Sequence, residues 1–479
     1  MMDDFLNIDE AANIPLYIQI YQRFHEGINS GQLKPLTRVP SIRVLASELN
    51  VARGTVELAY QLLISEGLLV AKGAKGTFIT EIVENLSNSA NSLNKKVMAV
   101  AEQSAIPKHN AKSIRPFQLG IPALDAFPIK LWSRLSATTL RETNSSLLGY
   151  PDPQGLFGLR EELARYLVMS RGINCTAEQI FISSGYRSSL MLIVQSLLNS
   201  GDIGWFEEPG YHIARSFLQH MGIKLVPISV DDKGINVEQG KRLAPDANFA
   251  LVTPTHQSPT NISLSLERRI ELLDWANKNK SWIIEDDYDG EFRYQGRPLA
   301  ALKKLDKFER VIYCGTMSKA LFPALRLSYV VVPTHCISQF YSIAEIIGNQ
   351  CSVWQQEVTY KFFKEGHFSR HLRKMRNLYR QRRQILINAI NDELSSIFKI
   401  EAQAGGMHIV VELINGQTAK QFSVVANKNG LSVESLDDWC IKETNKQILL
   451  LGFTNICDEI TAYKYCQQLL KISTYEQGI

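Results

Sequence analysis

Short apolar runs alternate with amphipathic helical patterns from Phe117 to the end of the chain, and this alternation constrains the fold more than any other feature of the sequence. Apolar runs at residues 180–182, 282–284 and 311–313 are each followed by a polar or glycine-bearing turn. Strands that alternate with helices are typical of a mainly parallel sheet, because each helix crosses a face of the sheet between two strands. The sequence therefore predicts an α/β domain over residues 115–479.

Length and composition exclude several other classes of protein. The chain has 479 residues, which is room for about three domains of ~150 residues. Its composition, with 45% hydrophobic and 21% charged residues, excludes disordered, collagen-like and coiled-coil chains. Seven cysteines without a C-x-x-C pair predict a reducing compartment and no thiolate zinc site. His367 and His371 have no third ligand in the pattern, so we predict no metal site. The acidic N-terminus is unlike a secretory signal and no run of eighteen apolar residues occurs, so we expect a cytoplasmic protein without a membrane partner.

Residues 13–80 carry a smaller pattern of helices followed by two short strands. Ser41 is a good helix N-cap, and a break at residues 50–51 separates its helix from a second one with a basic, polar first turn. Residues 23–80 contain seven Lys or Arg residues against four Asp or Glu residues, a balance that favours phosphate contact. Two helices joined by a tight turn, then two strands around the basic turn 72–76, predict a winged helix-turn-helix whose second helix enters the major groove of DNA.

The segments PLYIQIYQRF and VPSIRVLASELNVARGTVELAYQLLISEGLL resemble the winged helix-turn-helix of GntR-type bacterial regulators. The resemblance covers residues 14–80 and implies binding of double-stranded operator DNA. One departure is Leu36, where the family commonly has glycine. The resemblance implies base or phosphate contacts from six side chains of the two helices and the wing: Ser41, Arg43, Arg53, Thr55, Lys72 and Lys75.

Residues 81–114 are rich in Ser, Asn and Lys and poor in aromatic residues, so we expect a linker between the two domains. A flexible chain of this length spans roughly 30 Å. That reach would carry the DNA-binding domain over a partner subunit. The alternative is an ordered peripheral segment of the large domain.

Four segments of the large domain place reactive side chains where strands end, and the carboxyl ends of parallel strands are where ligands bind. Residues 282–288 end in carboxylates, residues 311–319 run into a glycine turn with hydroxyls and a lysine, and residues 180–187 lead through Ser-Gly into a helix. A helix N-terminus after small residues binds phosphate, and Arg326 follows the lysine by seven positions. A lysine, a carboxylate, a hydroxyl-lined phosphate site and an arginine are together what pyridoxal 5′-phosphate (PLP) requires.

The segments GTMSKALFPALRLSY, IIEDDYDGEF, TPTHQSPTN and EEPGYHIAR resemble the fold-type I aminotransferase domain of MocR/GabR-type regulators, a subfamily of the GntR family. This resemblance runs from about residue 115 to the C-terminus. It implies that Lys319 is the Schiff-base lysine and that Asp286 pairs with the pyridine nitrogen. The other implied cofactor contacts are Tyr288 on the ring hydroxyl with help from His256 or Gln257, Tyr211 on the ring face, and Ser184, Gly185, Tyr186, Thr316, Ser318 and Arg326 on the phosphate. Departures are Ser258, where the family often has Phe, and Asn261, where it often has Gly.

The fusion of these two domains predicts a transcriptional regulator. We expect it to bind DNA as a homodimer and to use the PLP-binding domain as an effector sensor. The alternative is an active PLP-dependent aminotransferase with an accessory DNA-binding module. Sustained turnover of an amino donor and a keto acid would favour the enzyme, and a half-reaction that stalls would favour the regulator.

Two arginines that the family uses for a substrate carboxylate are absent from this sequence. The corresponding positions hold Asn455 and Ile213, and neither side chain offers the charge-assisted pair that makes a buried carboxylate tolerable. Arg215 is the residue nearest in sequence that would compensate. We therefore expect an effector that is not a simple amino acid, with PLP itself as the leading candidate, as in PdxR-like members of the family that regulate vitamin B6 synthesis.

Overall fold

The computed structural model describes residues 14–81, 114–296, 299–348, 351–401, 403–442, 444 and 446–475. The chain divides into two compact units, Met1–Ala111 and Lys112–Ile479. Most of the expected linker, residues 82–113, lies outside the described residues. Within the described ranges, no helix is both long enough and apolar enough to cross a membrane.

The N-terminal unit consists of helices followed by a two-stranded antiparallel hairpin, as the sequence predicts. Its core is formed by apolar positions at helical spacing, of which Ile20, Phe24, Leu45 and Val56 are almost completely buried. The elements of this unit are α1 (Leu16–Asn29), α2 (Ile42–Glu48), α3 (Arg53–Ser65), β1 (Leu69–Ala71) and β2 (Thr77–Ile79). The Val44 backbone N–H donates to the Ser41 hydroxyl at 3.3 Å, which caps α2 at its start.

The second unit is built on an eight-stranded sheet with the order β3-β10-β9-β8-β7-β4-β5-β6 among the described residues. Strands β5, β4, β7, β8 and β9 run parallel to one another, whereas β10 is antiparallel to both β9 and β3. Their bounds are β3 Ile180–Ser183, β4 Ile203–Glu208, β5 Lys224–Asp231, β6 Gly234–Ile235, β7 Phe249–Val252, β8 Trp282–Asp287, β9 Val311–Thr316 and β10 Ser328–Val331. The carboxyl ends of β3, β4, β7, β8 and β9 therefore lie at one edge.

Helices cover both faces of this sheet, which explains why strands β3, β7 and β10 are buried along their whole length. Ile284 and Ile312 belong to the buried cluster on one face, and Ile283 and Val311 belong to the cluster on the other. The helices of this unit are α4 Ile129–Arg141, α5 Phe157–Arg171, α6 Tyr186–Leu197, α7 His212–His220, α8 Val237–Leu243, α9 Leu266–Asn279, α10 Ile337–Ile346, α11 Val353–Lys364, α12 His367–Glu393, α13 Ala419–Lys428 and α14 Glu459–Tyr475.

A smaller antiparallel sheet forms from the last part of the chain, with the order β11-β12-β14-β13. Its strands are β11 Phe398–Ile400, β12 His408–Leu413, β13 Glu434–Ser435 and β14 Ile448–Gly452. An isolated bridge joins Phe117 to Gly452, so the start of this unit pairs with the end of the small sheet. The small sheet brings the polar side chains of His408 and Glu434 to the edge where the large sheet ends.

Candidate functional site

The carboxyl edge of the large sheet opens into a cavity of about 490 Å³. Its walls come from the strand ends of the large sheet, from the segment that follows Phe117, and from the small sheet. The residues that line it are Leu119, Gly120, Tyr186, Arg187, Tyr211, His212, Ile213, Ser258, Asp286, Tyr288, Thr316, Ser318, Lys319, Pro323, Arg326, Met407, His408, Glu434 and Trp439. Eight of the predicted cofactor contacts are thereby brought to one place.

Lys319 follows β9 and projects into this cavity. Its Nζ donates a hydrogen bond to the Gly120 carbonyl oxygen at 2.6 Å. Burial lowers the pKa of the amine, and the carboxylates of Asp289, Asp286 and Glu434 oppose that change. A lowered pKa favours the neutral amine of a lysine, and the neutral amine is the form that acts as a nucleophile toward an aldehyde.

Asp286 lies near the end of β8 and is 5% exposed. Burial raises the pKa of its carboxyl to about 7, the Tyr186 hydroxyl opposes this rise, and the neighbouring carboxyl groups of Asp287, Glu207 and Asp289 add to it. A buried carboxyl in such surroundings is stabilised as the charged form by a cationic partner. A protonated pyridine nitrogen is a partner of this kind.

The residues expected around the phosphate form a cradle at the start of α6. The Arg326 guanidinium donates to the Ser184 carbonyl oxygen at 3.0 Å, and a Cβ atom at Gly185 would lie 2.8 Å from that guanidinium. Gly185 also has φ +96°, so both the lack of space for a Cβ atom and the backbone conformation favour glycine at this position. The hydroxyl of Thr316 accepts from Ser328 at 3.0 Å and from the Ser318 backbone N–H at 3.2 Å. Helix N–H groups, hydroxyls and an arginine are a donor set that fits a phosphate dianion.

Two tyrosines that the sequence predicts as contacts of the cofactor ring line the same cavity. Tyr211 is the residue before α7, and its ring centroid is 6.0 Å from that of Tyr186. Tyr288 follows β8 directly; burial raises the pKa of its hydroxyl well above the usual range, Asp289 raises it further, and Ser258 opposes the rise. The lysine, the carboxyl, the tyrosines and the phosphate cradle therefore fit PLP, and all of them except Ser184 and Gly185 of the cradle line one cavity.

His256 and Gln257 lie behind the cavity wall and are not among its lining residues. The His256 Nδ1 atom is 3.0 Å from the Asp289 carboxylate, and Gln257 Nε2 donates to the Pro209 carbonyl oxygen at 2.8 Å. Gln257 Nε2 also donates to the Glu207 carboxylate of β4 at 3.2 Å, whereas His256 packs beside Gly405. We therefore expect these two residues to support the site rather than to contact the ring.

The residues expected at the effector position are also outside the lining set. Asn455 Nδ2 donates to the Ile121 carbonyl oxygen at 3.1 Å, and Arg215 Nη1 donates to the Trp439 carbonyl oxygen at 3.4 Å. The cavity instead presents Glu434 and Trp439, which no motif in the sequence singled out. Glu434 begins a strand of only two residues, and so short a strand gives no periodic signal.

The six predicted DNA contacts lie on the N-terminal unit, and most of them face solvent. Arg43 and Arg53 are exposed in the first turns of α2 and α3, whereas Thr55 is half-buried. Lys72 and Lys75 are exposed on the wing, and Lys72 Nζ lies 5.4 Å from the centre of the Phe78 ring. The sixth, Ser41, is exposed but already caps α2.

Arg38 also lies at the wing, although no motif in the sequence indicates it as a DNA contact. A backbone bridge joins it to Phe78, so it extends the hairpin by one more segment. A Cβ atom at Gly76 would lie 2.7 Å from its Nε atom, so the guanidinium packs on the wing turn. The only feature of Arg38 in the sequence that suggests a contact with DNA is its positive charge, and any solvated surface arginine carries the same charge.

Comparisons with known proteins assign both units. Residues 16–79 match the family of bacterial regulatory proteins of the gntR type, and residues 123–435 match aminotransferase class I and II. The probable rhizopine catabolism regulatory protein MocR of Rhizobium meliloti is 33% identical over 94% of this chain and 92% of its own length. The pyridoxine biosynthesis transcriptional regulator PdxR of Corynebacterium glutamicum is 30% identical over 85% of this chain and 84% of its own.

A solved structure shows the same fold in an enzyme. The kynurenine aminotransferase of Pyrococcus horikoshii superposes with a TM-score of 0.69 at 27% identity, over 80% of this chain and 95% of that one. Fold and cavity thus define a GntR-type DNA-binding unit joined to a fold-type I aminotransferase-like unit. The chain belongs to the MocR-type subfamily of GntR transcriptional regulators.

Proposed function

We propose that this transcriptional regulator holds PLP on Lys319 and converts the state of that site into a change in operator binding. The observation that carries the proposal is the convergence of Lys319, Asp286, Tyr288 and Arg326 on one cavity. PLP supplies an aldehyde that condenses with amines and a ring that withdraws electrons. The protein would respond to PLP itself or to an amine that reacts with it.

The chain's own residues have separate tasks in this proposal. Lys319 provides a primary amine, and burial lowers its pKa in the direction that favours the neutral form. Asp286 would accept a hydrogen bond from the protonated pyridine nitrogen and balance its charge. Arg326 and the first N–H groups of α6 would hold the phosphate, and Tyr211 would pack on the ring. We further propose that the winged helices contact DNA through Arg43, Arg53, Lys72 and Lys75 and the half-buried Thr55, with two chains in the active assembly.

Borohydride reduction tests the cofactor assignment. Reduction of the PLP-loaded protein should fix a pyridoxyl group on the peptide that contains Lys319, as read by mass spectrometry. Lys319→Ala should lose the visible absorbance of the bound cofactor and keep its fold by circular dichroism. Lys303 is a matched control, because burial lowers its pKa as well but it does not line the cavity. An adduct on Lys303 or another lysine would contradict the assignment.

The second candidate is a working aminotransferase, which the similarity to the kynurenine enzyme favours. Against it stands the effector end of the cavity, where Ile213 lines the wall and Asn455 is bonded to the backbone. Without an arginine at either position, the carboxylate of an amino acid has no charged partner there, and Arg187 and Arg326 are the arginines that remain among the lining residues. Turnover with amino-acid and keto-acid pairs decides between the two, and we expect no sustained turnover.

A further inference from the structure

We propose that the cavity contains a cation subsite, formed by Glu434, Trp439 and His212, that selects an effector with a second amino group. The class of ligand is a primary aliphatic diamine or polyamine. One amino group would meet the cofactor site at Lys319, and the other would lie against the Glu434 carboxylate. The inference rests on the function proposed above and names the ligand class for the same site.

The Glu434 carboxylate is oriented by a neighbour and left with one oxygen for a ligand. Trp439 Nε1 donates to its Oε2 atom at 3.0 Å, and within the described chain Oε1 accepts no hydrogen bond. Burial raises the pKa of this carboxyl, while the Trp439 indole opposes the rise, Asp438 adds to it and Lys319 opposes it. A second cation beside Glu434 would stabilise the carboxylate form, because it replaces the hydration that burial removes.

Three aromatic rings contact one another next to this carboxylate. The centroid of Trp439 is 5.7 Å from that of Tyr211 and 5.0 Å from that of His212, and Tyr211 and His212 are 5.7 Å apart. Burial lowers the pKa of His212, and Arg215 lowers it further against the opposing effect of Asp438. The imidazole is therefore mainly neutral at pH 7 and does not repel a cation. Aromatic rings together with a carboxylate form the surroundings in which proteins bind ammonium groups.

The distribution of charge around Lys319 favours a cation over a carboxylate at this position. The carboxylates that act on the Lys319 amine are Asp289, Asp286 and Glu434, and Glu434 is the one that comes from the small sheet. Arg326 lines the same cavity but packs on Gly185 at the phosphate cradle. Arg187, an exposed residue in the first turn of α6, also lines the cavity. It is the cation that an amino-acid carboxylate would have to use.

Three ligands of equal chain length test the subsite, because they differ only at the end away from the reactive amine. Putrescine carries a second ammonium group, butylamine a methyl group and γ-aminobutyrate a carboxylate. Isothermal titration of the PLP-loaded full-length protein should rank them in that order, with at least about tenfold between putrescine and γ-aminobutyrate. Glu434→Gln should reduce the putrescine affinity to that of butylamine. Asp438→Asn is the matched control, because Asp438 is a neighbouring carboxylate that does not line the cavity, and it should keep the ranking.

The outcomes separate this inference from the function on which it rests. PLP loading by visible absorbance and operator binding by fluorescence anisotropy are measured on the same samples. A wild-type protein that loads PLP and binds its operator but binds γ-aminobutyrate as tightly as putrescine overturns the subsite alone. A folded Glu434→Gln variant that keeps the wild-type ranking overturns the subsite as well. Failure of PLP loading on Lys319 overturns the proposed function, and the wild-type ranking decides the subsite even if the variant does not fold.

Discussion

Asp286 is buried beside three other carboxyl groups, and its pKa is raised from 3.8 to about 7 in consequence. The folded protein therefore binds this proton more tightly than the unfolded chain does. Between these two pKa values the folded state holds more protons, so the free energy of unfolding falls as the pH rises from about 4 through about 7. Burying the ionised Asp286 carboxylate therefore costs free energy, and this cost is one reason why the carboxyl is a strong partner for a pyridinium nitrogen.

Replacing Asp286 by Asn should remove that pH-dependent cost from the PLP-free protein. At pH 3 the wild-type carboxyl is mostly protonated in both the folded and the unfolded chain, so the variant and the wild type should unfold alike. At pH 8 the variant should be more stable by about 1–4 kcal/mol, since it has no charge to bury. Differential scanning calorimetry at both pH values measures the difference, and PLP affinity should fall in the same variant. An equal stability gap at the two pH values would show that ionisation of Asp286 is not its cause.

Two residues with positive φ occupy positions where the family commonly has glycine. Leu36 has φ +63° and its side chain is 52% exposed, so it strains the backbone without packing in return. Asn261 has φ +59°, but its Nδ2 donates to the Gln403 Oε1 atom at 2.9 Å and lies 3.2 Å from the His408 Nε2 atom. Asparagine also tolerates this conformation better than leucine.

Glycine should therefore have opposite effects at the two positions. Leu36→Gly should stabilise the N-terminal unit by about 0.5–1 kcal/mol through relief of strain. Asn261→Gly should destabilise the second unit by about 1 kcal/mol, because it removes the hydrogen bond that the amide donates to the half-buried Gln403 side chain. Chemical denaturation of the full chain, with tryptophan fluorescence for the second unit and circular dichroism for both, measures the changes. A stabilising Asn261→Gly would mean that the amide contributes nothing to the fold.

At the scale of elements, α3 and the wing have different roles in DNA binding. Arg53 begins α3 and is exposed, which places it on the helix that enters the major groove in this motif. Lys75 lies on the turn between β1 and β2 and is also exposed. A side chain at a base edge reads sequence, whereas one at a phosphate does not.

Arg53→Ala should cost about 1–3 kcal/mol of operator affinity and relax the preference for one base pair. Lys75→Ala should weaken binding to all sequences alike and reduce the salt slope by about one unit. Anisotropy titrations with the operator and single-base variants, at several salt concentrations, measure both effects. If Arg53→Ala weakens every sequence equally, the arginine contacts phosphate and another residue reads the base.

At the scale of the whole molecule, each chain carries one winged helix-turn-helix and one aminotransferase-like unit. A dimer of such chains presents two DNA-binding units, and a symmetric dimer reads two related half-sites. Sedimentation velocity should therefore show a dimer, and a footprint at saturating protein should cover two half-sites. Loading with PLP should change the affinity or the extent of that footprint. Protection of a single half-site would contradict the dimeric assembly, and identical footprints with and without PLP would contradict a sensor that responds to the cofactor.

Local patterns in the sequence determined the two folds and the main cofactor residues. Helical and strand periodicities are short-range, so the winged helix and the α/β unit follow from the sequence and are confirmed by the structure and the family matches. Asp286, Tyr288 and Lys319 each lie within three residues of the end of an apolar strand, and strand ends converge in a parallel sheet. Their meeting in one cavity was therefore predictable.

Only the tertiary structure decided the far end of the cavity. Glu434 and Trp439 meet Tyr211 across more than two hundred residues of chain, and no local pattern encodes a contact of that range. The contact between His256 and Asp289 joins two separate segments in the same way, and no local pattern encodes it. Periodicity reports which face of an element is buried, whereas the side chains that meet across elements are set by the packing of the complete fold.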